Sequence, residues 1–215
     1  DWLGADGMET FIDKNNSNIL YGTSQYGGLY KSINTGTSYI GINSPEDKSG
    51  DWVTPFEQDP LLANTIYTGY DKVYKSSNGG STWVSISQGF GENLNHLKIA
   101  PSSNLVMYAS HGNTLYKTIN GGTTNWTQLS GFSGSINSIA IHPTNPNKVA
   151  IATTGNQKVY VSNNGGITWI SYLYDLPDFS AQALVWENNG RDGLYLGMNY
   201  GVYYIDNESN TSWQS

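Results

Sequence analysis

Apolar and polar positions alternate along this chain in short stretches that turn residues break up. The stretch from Ile136 is the clearest. Ile136 to His142 alternates toward a Pro-Thr-Asn-Pro turn, and Val149 to Thr154 is a β-branched run. Lys158 to Ser162 follows, then Asn163-Asn164-Gly165-Gly166, then Thr168 to Tyr172. Period-two runs of this length, bounded by Asn, Gly and Pro, predict four short strands and leave no room for a helix. The second strand recurs at Ile19–Thr23, Thr65–Gly69, Val106–Ser110 and Gly193–Gly197. The third recurs at Leu29–Ser32, Val73–Ser76, Leu115–Thr118 and Val202–Ile205.

The strands repeat in phase. An aromatic residue stands at Tyr39, Trp83, Trp126, Trp169 and Trp213, every 43 or 44 residues. It is preceded by an asparagine turn at Asn34, Asn78, Asn120, Asn164 and Asn207, and that turn by a strand tyrosine at Tyr30, Tyr74, Tyr116, Tyr160 and Tyr203. A fixed period in this range marks one supersecondary unit stacked many times, and four strands per unit predict blades. The expected fold is therefore all-β: a β-propeller of about five four-stranded antiparallel blades near 8–43, 51–88, 94–130, 136–174 and 181–215, in one body over 1–215.

The turn between the third and fourth strands predicts its own mechanism. In Ser76-Ser77-Asn78-Gly79-Gly80-Ser81-Thr82-Trp83, the Asn78 side chain is expected to bond backbone groups two residues on. Gly79 and Gly80 supply positive φ, Thr82 opens the outer strand, and Trp83 buries its ring against the neighbouring sheet. These residues suit hairpin chemistry and do not form a catalytic set.

Composition narrows the functional classes. The 215 residues include 16 Tyr and 7 Trp, few charged residues, no Cys, and a net charge of −7 with Arg191 the only arginine. A phosphate-backbone partner is excluded for want of cations to displace counterions. Disulfides and thiolate metal sites are excluded as well. No apolar run reaches membrane-spanning length. Asp1 opens the chain without a leader, which reads as a processed or excised piece of a longer precursor.

Ser76–Trp83 and Ser162–Trp169 match the Ser-x-Asp/Asn-x-Gly-x-Thr-Trp pattern of the Asp-box, or BNR repeat. Ser32–Tyr39 matches with Tyr for Trp, Thr118–Trp126 with one inserted residue, and Ile205–Trp213 is degenerate. The chain thus resembles Asp-box propellers, which include sialidases, xyloglucan hydrolases, sortilin-type receptor domains, photosystem assembly factors and secreted bacterial proteins. The resemblance assigns a structural role to Asn34, Gly36, Tyr39, Asn78, Gly80, Trp83, Asn120, Gly122, Trp126, Asn164, Gly166 and Trp169. It also implies a secreted or cell-surface location.

In an up-and-down blade the Asn-Gly turns share one end of the sheet with the turn after the first strand. Loops after the second strand, and the blade-to-blade connections, lie at the other end. That end offers Ala5-Asp6, Gln25-Tyr26, Glu46-Asp47, Tyr70-Asp71, Glu92-Asn93, His111-Gly112-Asn113, Ser130–Ser135, Gly155-Asn156-Gln157, Asp175–Phe179 and Asn199-Tyr200. Rings with adaptable polar groups suit binding. Asp6, Gln25, Tyr26, Tyr70, Asp71, His111 and Tyr200 are the candidate ligand residues, with a glycan or a protein as the expected partner.

A sialidase, which in that family grips its substrate carboxylate with three arginines, is set aside. A xyloglucan hydrolase needs two carboxylates. The segment resembling its first catalytic region, Thr23–Tyr30, carries Ser24 and Gln25 where an acid is required; Asp6 or Asp71 could substitute, though no spacing recommends them. No Gly-x-Ser-x-Gly elbow is present. His96, His111 and His142 fall at unlike positions in their repeats, so no metal site and no cofactor is expected. Structural calcium stays open, because oxygen ligands exist without an EF-hand run. Sequons begin at Asn15, Asn125, Asn207 and Asn210.

Three readings remain: a non-catalytic extracellular binding module, a glycoside hydrolase of xyloglucanase type, and a scaffold within a larger secreted protein. Five blades can close into a ring, with an N-terminal strand completing the last blade, but Asp1-Trp2 resembles the tail of an earlier blade's outer strand, and this favours a segment of a larger propeller whose remaining blades are a further expected partner. Exposed apolar flanks on the first and last blades are then expected.

Overall fold

The computed structural model describes residues 6–46, 48–209 and 211–215. Every regular element is a strand, apart from one 3-10 turn at Gln25–Gly27. The first sheet is β1 (Gly7–Ile12), β2 (Leu20–Ser24), β3 (Gly28–Ser32) and β4 (Ile40–Ile42). The second is β5 (Phe56–Gln58), β6 (Ile66–Gly69), β7 (Val73–Ser76) and β8 (Val84–Ser85). The third is β9 (His96–Ala100), β10 (Ser103–His111), β11 (Thr114–Thr118) and β12 (Thr127–Leu129). The fourth is β13 (Ile136–Ile141), β14 (Val149–Thr153), β15 (Val159–Ser162) and β16 (Ile170–Ser171). The fifth is β17 (Ala181–Trp186), β18 (Leu194–Met198) and β19 (Val202–Ile205). Strand order within each sheet follows the chain, and the pairs are antiparallel. The fifth sheet has a single bridge, Tyr204 to Gln214, where the others have a fourth strand.

Two compact units divide the chain. One runs up to Leu97 and includes Asn120–Trp126; the other holds Lys98–Ile119 and Thr127–Ser215. In the first unit, Phe11, Tyr21, Leu29 and Ile42 of the first sheet meet Phe56, Ile66 and Trp83 of the second. The Phe11 ring lies 5.1 Å from both Tyr21 and Phe56. In the second unit, Ile139 and Ile151 pack with Val106, Tyr108 and Leu115. Leu184, Trp186, Leu194 and Leu196 pack with Ala150, Ala152, Val159 and Val161. β6, β14 and β15 are buried on both faces, and so read as continuous apolar runs rather than alternating ones.

In the first, second and fourth sheets the turn after the third strand departs from the expected mechanism in two ways. Asn78 Oδ1 accepts from the Thr82 amide, four residues on, at 2.9 Å, and Asn78 Nδ2 donates to Thr82 Oγ1 at 2.8 Å. Thr82 therefore belongs to the turn, and the outer strand starts only at Val84. The second departure is the buried Ser76 hydroxyl. It donates to Asn78 Oδ1 at 2.9 Å and accepts from the Gly80 amide at 2.8 Å. The same set recurs at Ser32-Asn34-Gly36-Ser38 and Ser162-Asn164-Gly166-Thr168. One short hydroxyl thus satisfies donors that a tight turn would otherwise orphan.

Each turn also leans on the loop after the first strand of its own sheet. Thr35 N donates to Asn18 O, Gly79 N to Asn64 O, and Gly165 N to Asn147 O. These bonds place both turns at one end of the sheet and leave the β2–β3-type loops at the other. In the third repeat, Asn120 Nδ2 donates to Thr124 Oγ1 at 2.9 Å, with Gly121 and Gly122 at positive φ. In the fifth, Asp206 rather than Asn207 is the acceptor, bonding the Glu208 and Ser209 amides; Asn207 donates instead to Asp192.

The rings dock on the preceding sheet. Trp83 Nε1 donates to Asn43 O at 2.9 Å, Trp126 Nε1 to Ile86 O at 2.8 Å, and Trp213 Nε1 to Tyr172 O at 2.9 Å. Trp169 packs on Phe132, but its buried Nε1 has no acceptor. Tyr39 corrects the expectation of a buried ring: it is 41% exposed and stands edge-on to Tyr30 at 5.6 Å. The proposed strand at Asp1-Trp2 lies outside the described residues, as do Ala5, Asp47 and Asn210.

Candidate functional site

The site is built at the end of the first unit opposite the Asn turns. Gln25–Gly27 forms a tight turn after β2, and Tyr26 adopts φ 61°, a left-handed conformation that a bulky side chain occupies only when its surroundings hold it there. They do hold it. Tyr26 N donates to Trp52 O at 3.3 Å, and Gly50 N donates to Tyr26 O at 2.9 Å. The two rings meet edge to face at 5.1 Å and 88°, with Tyr26 53% and Trp52 47% exposed.

Both sides of this platform are pinned from the neighbouring repeats. Asp51 Oδ1 caps the Trp52 amide at 2.9 Å, and the Asp51 carbonyl accepts from Thr54 Oγ1 at 2.9 Å. Asn95 Nδ2 donates to Asp51 Oδ2, and Asn93 Nδ2 to the Ser49 carbonyl. Under Tyr26, the Tyr70 hydroxyl donates to Gly27 O at 2.7 Å. Gly27 sits at φ 84°, where a Cβ would lie 2.6 Å from that hydroxyl. In the same turn, the Gln25 Oε1 is buried without a hydrogen-bond partner.

Tyr70 therefore corrects the sequence reading. It is fully buried, cannot touch a ligand, and serves as the post beneath the platform. Burial raises its phenol pKa above the ordinary value. Asp71 is also committed elsewhere. Its Oδ2 meets Lys48 Nζ at 3.0 Å, and Lys48 bridges to Glu46 at 2.9 Å. Glu46 further accepts from the Tyr74 hydroxyl and from Lys72 Nζ. The Tyr74 bond first, then the two lysines, lower its pKa to about 2. A carboxyl held so firmly ionised cannot donate a proton to a leaving group near neutral pH.

Asp6 is exposed, immediately before β1 and next to the Gly7–Ser24 pair that leads into the platform turn. The remaining candidates lie in the second unit and are not brought together there. His111 ends β10, its ring 5.8 Å from Tyr116. Tyr200, 70% exposed, stands 5.1 Å from Phe179. Among the described residues, no three His, Asp or Glu side chains converge as a metal would require.

Trp52 escaped sequence reasoning because it lies in an irregular connection outside the repeat register. The signal was there in Gly50-Asp51-Trp52, a lone tryptophan in a polar loop.

No protein-family profile and no curated protein matches the chain. Solved structures do. An ancestral GH74 enzyme superposes with a TM-score of 0.77 at 22% identity, over 98% of this chain and 31% of its own. The GH74 enzyme of Niastella koreensis gives 0.75 at 22%, over 96% and 38%. YCF48 bound to D1 peptide gives 0.70 at 14%, over 98% and 66%. The chain thus spans about a third of the length of the two enzymes and about two thirds of YCF48. These likenesses establish a β-propeller fold.

Proposed function

We propose that this propeller segment is a non-catalytic binding module of a secreted or cell-surface protein, and that it takes a glycan on the loop face opposite the Asn turns. On this reading the Ser/Thr-x-Asn-x-Gly turns are Asp boxes with a purely structural role. The observation that carries the proposal is the Tyr26–Trp52 platform: two half-exposed rings on a backbone held by hydrogen bonds between their loops. Sugar rings stack on such faces, and a preformed platform loses little entropy on binding. One of the GH74 structures with this fold is described as a xyloglucanase, which makes xyloglucan the first glycan to try.

Calorimetric titration with xyloglucan oligosaccharides tests the proposal. Binding is expected to weaken roughly 30-fold on Trp52→Ala, the loss of about 2 kcal/mol usual for a central aromatic contact, and to fall on Tyr26→Ala as well. Release of new reducing ends by the wild-type chain would favour the hydrolase instead. Retention of a peptide with no affinity for any polysaccharide would turn the reading toward protein recognition, as in the peptide-bound YCF48.

A further inference from the structure

The two rings of the platform stand at a right angle and touch. The Tyr26 and Trp52 centroids are 5.1 Å apart and their planes meet at 88°. That is ordinary contact distance between two aromatic side chains. It leaves no room for two sugars to lie side by side, each on its own ring. A surface that grips an extended polysaccharide needs the opposite arrangement: ring faces near one plane, spaced so that separate sugars each find one. Here one ring offers a face and the other an edge, and together they form a corner that one pyranose fills.

Nothing nearby extends the corner into a track. Among the described residues of the first unit, the other exposed ring is Tyr39, which follows the Asn34 turn at the far end of its sheet. Tyr70 and Tyr74 of the next repeat are buried. The backbones that carry the two rings are tied to each other, Tyr26 N to Trp52 O and Gly50 N to Tyr26 O. Both oxygens of Asp51 are engaged in the same loop, one by the Trp52 amide and one by Asn95 Nδ2. The corner is therefore in place before a ligand arrives, and little ordering is left to binding.

We propose that the platform takes a single pyranose unit, the outlying sugar of a chain end or a side branch, and does not grip the run of a polysaccharide backbone. The inference rests on the glycan reading and narrows it. The chemistry is the same from either source: a pyranose held by one glycosidic bond, with an open C–H face to lie on an aromatic ring. An internal backbone sugar is joined on both sides, and the upright ring stands in the path of one neighbour.

Nuclear magnetic resonance titration of the isotope-labelled chain, followed at the Tyr26 and Trp52 amides, tests this with two kinds of ligand. Cello-oligosaccharides from cellobiose to cellohexaose present the same chain ends on a growing backbone. Isoprimeverose, one xylose on one glucose, presents the xyloglucan side branch alone. Affinity is expected to stay level within about twofold along the cello series, because added backbone makes no added contact. With the series level, tighter binding of isoprimeverose assigns the corner to a side branch, and weaker binding assigns it to a chain end. Trp52→Ala is expected to weaken the shortest and the longest ligand by the same factor. An affinity that climbs about tenfold or more with length overturns the single-unit site and leaves the glycan reading standing. So does a Trp52→Ala loss confined to the short ligands, which would mean further contacts along the chain. If no oligosaccharide shifts these amides, the glycan reading falls, and this inference with it.

Discussion

Trp83 and Trp169 occupy the same place in their repeats and are both half-buried, yet the structure predicts that the same substitution will affect them differently. Trp83 Nε1 donates to Asn43 O at 2.9 Å, whereas Trp169 Nε1 is buried and unpartnered. Replacing either indole with phenyl removes similar apolar surface and leaves a similar void. At Trp83 the change also deletes a hydrogen bond, a net loss of about 1 kcal/mol. At Trp169 it deletes an unsatisfied buried donor, recovering about 1–3 kcal/mol of desolvation. Trp83→Phe should therefore be the more destabilising by about 2–4 kcal/mol. Urea unfolding followed by far-ultraviolet circular dichroism measures this. With a slope of about 2–3 kcal/mol per molar for a chain of this size, the two midpoints should differ by about 0.7–2 M. Equal midpoints, or a less stable Trp169→Phe, would refute the reasoning that ring position and N–H satisfaction contribute separately.

Three other outcomes are expected. Ser76→Ala leaves the Gly80 amide without its acceptor and should cost about 2 kcal/mol in the same assay, while Ser76→Thr, which the third repeat carries naturally as Thr118, should be nearly neutral. Gly122→Ala should destabilise more than Gly36→Ala: both sit at φ 82°, but only at Gly122 would a Cβ collide with a backbone oxygen, that of Ile86. The depressed Glu46 pKa stabilises the fold fully above the ordinary 4.5, and that contribution is lost as pH falls through about 2. The stability gap between wild type and Glu46→Gln should therefore be constant near neutrality and narrow below about pH 4.5. A gap that widens on acidification would contradict it.

The sheets were legible because the repeat overdetermines them. Strand alternation, turn glycines and aromatic spacing agree, and where a strand is buried on both faces, as at Val149–Thr153, β-branching carried the signal instead. The inner workings of the turn were less legible. A serine two residues ahead of an asparagine reads as an ordinary turn residue, and only coordinates show its hydroxyl serving both Asn78 and Gly80. The site was half legible. Gln25 and Tyr26 stood out by loop position, but the same rule selected Tyr70, whose phenol turns inward to hold Gly27. Trp52 lay in a connection with no repeat partner, so periodicity was silent about the residue that completes the platform.

On the proposed reading, the Asn turns that hold the fold and the platform that would bind a glycan lie at opposite ends of the same sheets. Hydrogen–deuterium exchange of the chain, with and without saturating xyloglucan oligosaccharide, tests that division directly. Ligand should slow exchange in residues 24–28 and 49–54 and leave the turns at 32–38, 76–82 and 162–168 unchanged. Protection that appears at the turns, or at neither segment of the platform while the oligosaccharide binds, would contradict it.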